Sequence, residues 1–422
     1  MSYNIRARAL LGLVTLCAAT ASAQNIAIPS TQPAVRAALE WIHSDNAWTL
    51  DQQASICEIP APPFKEKVRA AEYKRRLESL GLKNVRIDSV GNVIGERPGS
   101  GDDTTIVLAA HLDTVFPQGT DVTMKREGTT IHGPGSSDDC RGLAVVEAVV
   151  NALSNAHIST RHNILFVGTV GEEGPGDLRG VRHLFQKELA GKINYFISVD
   201  GAGLDITSRA VGSHRYRVTF KGPGGHSYGA FGMPNPIHAL GRAIAKIADL
   251  QVPSTPKTTF NVGVIHGGTS VNSISAEGVM DVDLRSESPD ALNAVDAKLQ
   301  AAVRDALTEE NARWPKSKAR LTVSIDTTGI RPAGAPQSDS AHIVRVALSS
   351  ARALGFPSST NASSTDSNIA MSMSIPAITI DGGGRGHGAH SLGEWYDDTD
   401  RGYLGPQWAL LIVTTLAGLT TK

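Results

Sequence analysis

The chain has 422 residues, 41% of them hydrophobic and 19% charged, and carries a formal net charge of -1. That length leaves room for two or three domains with an ample core. So even a charge balance excludes the basic field that nucleic acid or an anionic membrane would select, and neither is expected as a partner.

Residues 1–23 read as a targeting segment. Arg6 and Arg8 supply a positive start, Ala9 to Ala19 an apolar run, and Ala21-Ser22-Ala23 a small-residue cleavage signal before Gln24. The run is shorter than the ~20 residues of a spanning helix. The expectation is therefore a cleaved signal peptide and an exported protein, periplasmic or secreted, without a stable membrane anchor. Cys17 leaves with the signal, and the mature chain keeps Cys57 and Cys140. An exported protein can oxidise such a pair, but sequence does not show whether the two meet.

From Gln24 to about Ser100 the pattern is mostly helical. Val35, Ala38, Leu39 and Ile42 recur at amphipathic spacing, and a second helix is expected from Phe64 to Leu80, with a Pro-rich connection from Cys57 to Pro63 between them. Asn84 to Glu96 reads as a strand pair turning at Gly91-Asn92. A strand over Thr105–His111, a hairpin, a Gly-rich loop and a helix over Gly142–Leu153 follow. Next come a strand from Asn163, a helix over Val181–Leu189 and a strand over Tyr195–Val199. Alternating strand and helix implies parallel strands with helices on both faces, an α/β fold on a mixed sheet.

The pattern changes after Ala210. Strand His214–Lys221, helix Pro236–Leu250, strands Thr258–Ile265 and Gly278–Arg285, helix Pro289–Arg313 and strand Arg320–Thr327 succeed one another. Asn235 and Ser288 cap the two helices, each followed by proline. The order β-α-β-β-α-β is that of a ferredoxin-like unit. The α/β pattern resumes with helix Ser340–Leu354, strand Ile375–Ile380 and a closing helix Arg401–Leu419. The expected division is a first catalytic part over 24–210, an inserted lid or dimerisation domain over 211–331, and a second catalytic part over 332–422.

Chemistry gathers between His111 and Asp200. One buried strand ends in His111 and Asp113; a Gly-rich loop carries Asp138 and Asp139; a second strand runs into Glu172 and Glu173; a third ends at Asp200. In open α/β sheets ligands bind beyond the carboxyl ends of the strands, so these groups face one crevice. Singly, a strand-end Asp is a turn residue and Glu-Glu a solvated surface. Four such clusters in consecutive units favour a site. Imidazoles and carboxylates without a thiolate set suit a borderline-hard divalent ion such as zinc. Residue types alone leave Glu172 and Glu173 interchangeable, and either Asp138 or Asp139 could bridge two ions.

The full order of motifs is His-x-Asp-Thr at 111, Gly-x-Gly-x-x-Asp-Asp at 133, Gly-Glu-Glu-Gly at 171, Val-Asp-Gly at 199 and Gly-His-Gly-Ala-His-Ser at 386. With the inserted unit, this resembles the M20 family of di-zinc metallopeptidases, a group that also holds aminoacylases and desuccinylases. The resemblance implies two divalent ions per chain, zinc first, with cobalt and manganese as alternatives. By position it gives His111 and Asp200 to one ion, Glu173 and His390 to the other, and Asp138 to both. It makes Glu172 the general base and gives Asp113 the task of holding the far nitrogen of the His111 imidazole. His226, Asn272 and Arg331 match family positions that contact substrate, His226 often from the partner subunit. Arg at a junction is otherwise a salt bridge. Cys140-Arg141 departs from the Lys-Gly common among relatives, and Cys140 is not expected to ligate.

The implied activity is that of an exopeptidase cutting short peptides by attack of an activated water. The alternatives are an N-acyl amino-acid deacylase and a non-catalytic metal- or peptide-binding protein. A homodimer through the inserted unit is a further expectation.

Overall fold

The computed structural model describes residues 26–334, 337–399 and 401–420. The expected targeting segment lies outside them. Among the described residues no helix is long and apolar enough to cross a membrane.

Three helices open the structure: α1 (Pro33–Ser44), α2 (Asn46–Cys57) and α3 (Lys67–Ser79). Strands β1 (Lys83–Ile87) and β2 (Val93–Arg97) form the expected antiparallel pair. Then come β3 (Thr105–His111), the short hairpin β4 (Lys125–Glu127) and β5 (Thr130–His132), and helix α4 (Cys140–Asn155). Strand β6 (Asn163–Thr169), a short helix α5 (Arg179–His183), β7 (Tyr195–Val199) and β8 (Ile206–Ala210) follow.

Next stand β9 (Gly212–Lys221), β10 (Gly225–His226), α6 (Pro236–Ala248), β11 (Thr258–Gly267), β12 (Ser273–Ile274), β13 (Glu277–Ser286), α7 (Pro289–Arg313) and β14 (Thr322–Arg331). The chain finishes with α8 (His342–Ala353), β15 (Thr360–Ser363), α9 (Ser367–Ser372), β16 (Ala377–Ile380), β17 (Arg385–His387), β18 (Trp395–Asp397) and α10 (Leu404–Ala417).

The main sheet has eight strands in the order β1-β2-β6-β3-β7-β16-β8-β15. Its centre, β6-β3-β7-β16, is parallel, while β2 and β8 join antiparallel, so the sheet is mixed as expected. All seven residues of β3 are buried, because helices cover both faces of a parallel centre and its strands become continuous apolar runs. Helices α1, α4, α8 and α10 pack on one face around residues such as Phe166 and Trp408. The segment from α5 and helix α9 pack on the other, around Phe185 and Phe196.

A second sheet, in the order β11-β13-β9-β14, is antiparallel throughout. Burial in β13 alternates with period two. One face therefore packs on α6 and α7 around Val218, Phe220 and Leu299, while the other carries charge. The caps are those expected: Asn235 accepts from the Ile237 N–H and Ser288 from the Ala291 N–H.

Several elements differ from expectation. Helix α2 occupies residues whose apolar spacing is weak; it forms because Gln53, Ile56 and Cys57 are buried against the loops that precede α4. The helix expected over Val181–Leu189 is instead α5 followed by a π-turn over Leu184–Glu188, closed by Leu189 N–H on the Leu184 carbonyl. Strands β8 and β15 were not expected; they are short and partly polar, and only tertiary pairing makes them strands.

Candidate metal centre

Strands β6, β3 and β7 are neighbours and parallel, so Glu172–Glu173, His111 and Asp200 emerge side by side at one end of the sheet. Asp138 arrives from the loop before α4 and His390 from the loop between β17 and β18. His390 is held at φ 66°, in the left-handed region, within a turn that the Ser391 N–H closes on the Gly388 carbonyl.

These side chains converge. Asp138 Oδ1 lies 3.0 Å from His111 Nε2, and Asp138 Oδ2 lies 3.1 Å from His390 Nε2. Asp200 Oδ1 is 3.9 Å from His111 Nε2, and Glu173 Oε1 is 2.9 Å from His390 Nε2. Three triads result, His111–Asp138–Asp200, Asp138–Glu173–His390 and His111–Glu172–Glu173, each with donor atoms within 4.8 Å of one another; the first two share Asp138. One Asp138 oxygen is turned to each histidine.

The cluster holds more carboxylates than imidazoles, and its titration reflects that. Burial lowers the tendency of His111 to take a proton, yet the hydrogen bond to Asp138 and the charges of Asp139, Asp138 and Asp200 hold it well above the ordinary imidazole value. Hydrogen bonds to Asp138 and Glu173 push His390 up to about 10. Burial, then the charge of Asp138, pushes Asp200 well above the usual carboxylate range. The donor set, two imidazoles and three carboxylates, fits divalent ions. Glu173 Oε1 is buried, with His390 Nε2 at 2.9 Å as its facing partner, and is placed to hold a divalent ion.

Behind the cluster stand three further carboxylates, each almost fully buried. Asp113 accepts the Glu172 and Glu173 N–H groups at 3.0 and 2.8 Å. Asp139 accepts from His111 N–H at 3.0 Å, Gly142 N–H at 2.9 Å and Gly201 N–H at 3.3 Å. Glu394 accepts from the N–H groups of Gly135, Ser137 and Asp138 and from the Ser137 hydroxyl, at 2.7–3.0 Å. Asp139 reaches its partners because α4 approaches closely: a Cβ at Gly142 would lie 2.3 Å from Asp139 Oδ1 and 2.5 Å from the Val199 carbonyl oxygen.

The Asp113 carboxylate lies 3.7 Å from the far nitrogen of His111, Nδ1, beyond hydrogen-bond distance. The backbone carbonyl of Asp113 is closer, 3.0 Å from Nδ1, while the carboxylate accepts from the two backbone donors. Asp138 faces both histidines and Asp139 does not. Arg331, assigned by resemblance to substrate contact, is buried against Glu172: Nη1 lies 2.9 Å from Glu172 Oε1, and Nη2 donates to the Glu172 carbonyl. Burial nevertheless keeps Glu172 well above the usual carboxylate range.

His226 and Asn272 adjoin one another on β10 and just before β12, where Ser227 N–H donates to the Asn272 carbonyl. His226 is exposed, and its Nδ1 lies 3.3 and 3.2 Å from the N–H groups of Tyr228 and Gly229. Neither residue lines the cleft of ≈ 730 Å³ that contains Asp138, Glu172, Glu173, Asp200 and His390.

Cys140 is joined to Cys57 in a disulfide. Arg141 is wholly buried and donates to the Gly382 and Gly402 carbonyls, tying α4 to the closing segments of the chain. Sequence reasoning missed Glu394 altogether. Its only signal was an acid four residues beyond His390, which surface residues supply as often.

Residues 107–404 match the model for peptidase family M20/M25/M40. An uncharacterized protein of Bacillus subtilis, YqjE, is 26% identical over 352 residues, 78% of this chain and 89% of its own. A succinyl-diaminopimelate desuccinylase of Corynebacterium glutamicum is 25% identical over 239 residues, 54% of this chain and 64% of its own. Among solved structures, the aminopeptidase PepT of Bacillus cereus superposes with a TM-score of 0.71 at 21% identity, covering 90% of this chain and 99% of that one. The YXEP protein of Bacillus subtilis, described as a dinuclear metal binding peptidase, gives 0.66 at 16% identity, covering 89% and 100%.

Replacing Glu394 tests the holding layer. An amide offers one acceptor where four donors converge, so Glu394→Gln should cost at least about 1–3 kcal/mol, the penalty for one orphaned buried donor. Chemical denaturation reads that loss. Metal content after dialysis should fall with it, and content equal to the parent's would remove Glu394 from the support of Asp138.

Proposed function

Because the chain belongs to peptidase family M20/M25/M40, and is thus a hydrolase of peptide or amide bonds, we propose that it is a metal-dependent exopeptidase acting on short peptides. One observation carries the reading: two three-residue donor groups share Asp138 and lie beside Glu172 in one cleft. We take His111 and Asp200 as ligands of one ion, Glu173 and His390 of the other, and Asp138 as the carboxylate between them. When bound, two divalent ions, zinc in our reading and otherwise cobalt or manganese, polarise the scissile carbonyl and acidify a water.

The remaining work falls to side chains. Glu172 accepts the proton of the attacking water at its carboxylate and returns it to the departing amine nitrogen. Asp113 holds the 172–173 backbone so that Glu172 keeps its place beside the cluster. The ion pair with Arg331 orients the same carboxylate. The second reading is an N-acyl amino-acid deacylase, favoured by the match to a desuccinylase; both reactions break an amide by the same proton transfers. A non-catalytic binding protein would have no use for Glu172 in this position.

A panel of dipeptides, tripeptides and N-acyl amino acids, assayed with zinc, cobalt and manganese, separates these readings. Glu172→Gln should abolish turnover and leave metal content near the parent's, since an amide cannot carry the proton. Glu173→Gln should instead lower metal content. Exchange of those two phenotypes would reverse the assignment within the pair.

We read residues 211–331 as a lid that also dimerises, with His226 and Asn272 completing the partner's cleft. Their position away from their own chain's cleft supports this, as does the unpaired outer edge of β11. His226 Nε2 can carry a proton towards an oxyanion, since Nδ1 faces two backbone N–H donors. His226→Ala should then lower turnover by about 10²–10³-fold, as loss of one such donor does. Mixing it with Glu172→Gln should restore part of the activity through dimers with one intact site. Absence of rescue in dimers verified to be mixed would return His226 to its own subunit.

Export is the last part of this reading. The Cys57–Cys140 disulfide supports it, since such bonds persist in oxidising compartments. The mature protein should begin near Gln24, and an intact Met1 on protein purified from its host would overturn the signal peptide.

A further inference from the structure

Glu394 is not the only group that fastens the loop carrying Asp138; the end of α2 does so too. Cys140, two residues beyond Asp138, donates its N–H to the Gly135 carbonyl at 3.2 Å and so closes the turn on which Asp138 stands. Its sulfur is bonded to Cys57, the last residue of α2. One turn earlier on the same helix, Gln53 donates Nε2 to the Ser136 carbonyl at 2.7 Å, while its Oε1 accepts from Arg141 Nη1 at 3.3 Å. Gln53, Cys57 and Cys140 are wholly buried.

The residues that follow Cys57 reach the other arm of the centre. Arg69, buried, donates Nη2 to the Cys57 carbonyl at 3.1 Å and Nε to the Ile59 carbonyl at 2.8 Å. Its Nη1 donates to the carbonyl of Leu112, next to His111, at 2.9 Å. The Thr114 N–H donates to the Ala61 carbonyl at 2.9 Å. Residues 57–61, stiffened by Pro60, are thus tied to the end of β3 by hydrogen bonds and to the start of α4 by a covalent bond. His111 and Asp138 come from those two places, and the 3.0 Å between His111 Nε2 and Asp138 Oδ1 is set across this short piece of chain.

We propose that the Cys57–Cys140 bond positions the metal centre, so that the chain holds its divalent ions strongly only after the bond has formed. A cross-link between residues 83 apart restrains the unfolded chain wherever it lies; this one also sits against the loop that bears Asp138. Two of the triads share Asp138, so release of its loop weakens the hold on both ions at once. The inference rests on the two-metal reading of the cleft. It adds that the reduced chain holds metal poorly until it meets an oxidising compartment. Linkage makes the relation reciprocal. If the bond tightens metal binding, bound metal favours the bond by the same factor, which lowers its two-electron midpoint potential by about 30 mV for each tenfold in the overall binding constant.

Two measurements test this. In the first, zinc affinity is measured by competition with a chelator for the parent and for the double variant Cys57→Ala/Cys140→Ala. It should fall about tenfold or more, the lower end of the loss seen when a group supporting a ligand is removed, while far-UV circular dichroism and cooperative unfolding persist. In the second, the parent is equilibrated with dithiothreitol and its cyclic disulfide, which exchange two electrons and two protons with Cys57 and Cys140, and free thiols are counted. Manganese is the metal here, because soft thiols hold it poorly. At saturation it should lower the midpoint potential by about 30 mV or more, the same tenfold converted. An unchanged zinc affinity in the double variant, or a midpoint unmoved by manganese, would overturn the inference. Loss of the fold in the variant or on reduction would overturn it too, since the bond would then hold the chain and not the site. A parent that binds neither metal would end the two-metal reading, and the inference with it.

Discussion

Crowded like charge is the constraint on which the rest of this structure depends. Asp138, Glu173 and Asp200 meet within a few ångströms, and Glu172 stands beside them. Left alone, such groups would take up protons or swing apart. What keeps them in place is a second layer of carboxylates turned inward, away from the cleft. Asp113, Asp139 and Glu394 share no neighbourhood in the sequence, yet each accepts backbone N–H groups from a segment that bears a donor of the first layer. An acid that is buried and saturated by N–H donors is both satisfied and immobile. The site is rigid because its backbone is tethered.

This arrangement explains why the doubled acids look as they do. In Asp138-Asp139 one residue faces the cleft and the other holds the loop. In Glu172-Glu173 both face the cleft and the holding is done by Asp113, a strand away. From sequence the two pairs are indistinguishable, since the difference lies in which backbone each side chain can reach.

The large features were legible because they follow from periodicity. Continuous apolar runs became the parallel centre of the sheet, polar alternation became the second sheet, and prolines after Asn235 and Ser288 marked two helix starts. His111, Glu173 and Asp200 were legible because they end or follow those runs, Asp138 because it sits in a Gly-rich loop between them, and His390 only through the order of motifs. Glu394, the Arg331–Glu172 pair and the distance of His226 from the cleft were not, since each depends on contacts between segments far apart in the chain. The disulfide belongs with them: two cysteines 83 residues apart carry no mark of being neighbours. Strands β8 and β15 were missed for the same reason, as their identity comes from the partner and not from the run.

The tether from Glu394 to Asp138 spans 256 residues, and it sets an order of assembly. During synthesis His111, Asp138, Glu173 and Asp200 leave the ribosome together, while His390 and Glu394 follow only after the entire four-stranded unit has been made. Until that last stretch docks, the loop bearing Asp138 lacks its anchor and one triad lacks its imidazole. A partly made chain therefore cannot present the finished pair of triads, and completion of the centre coincides with completion of the fold.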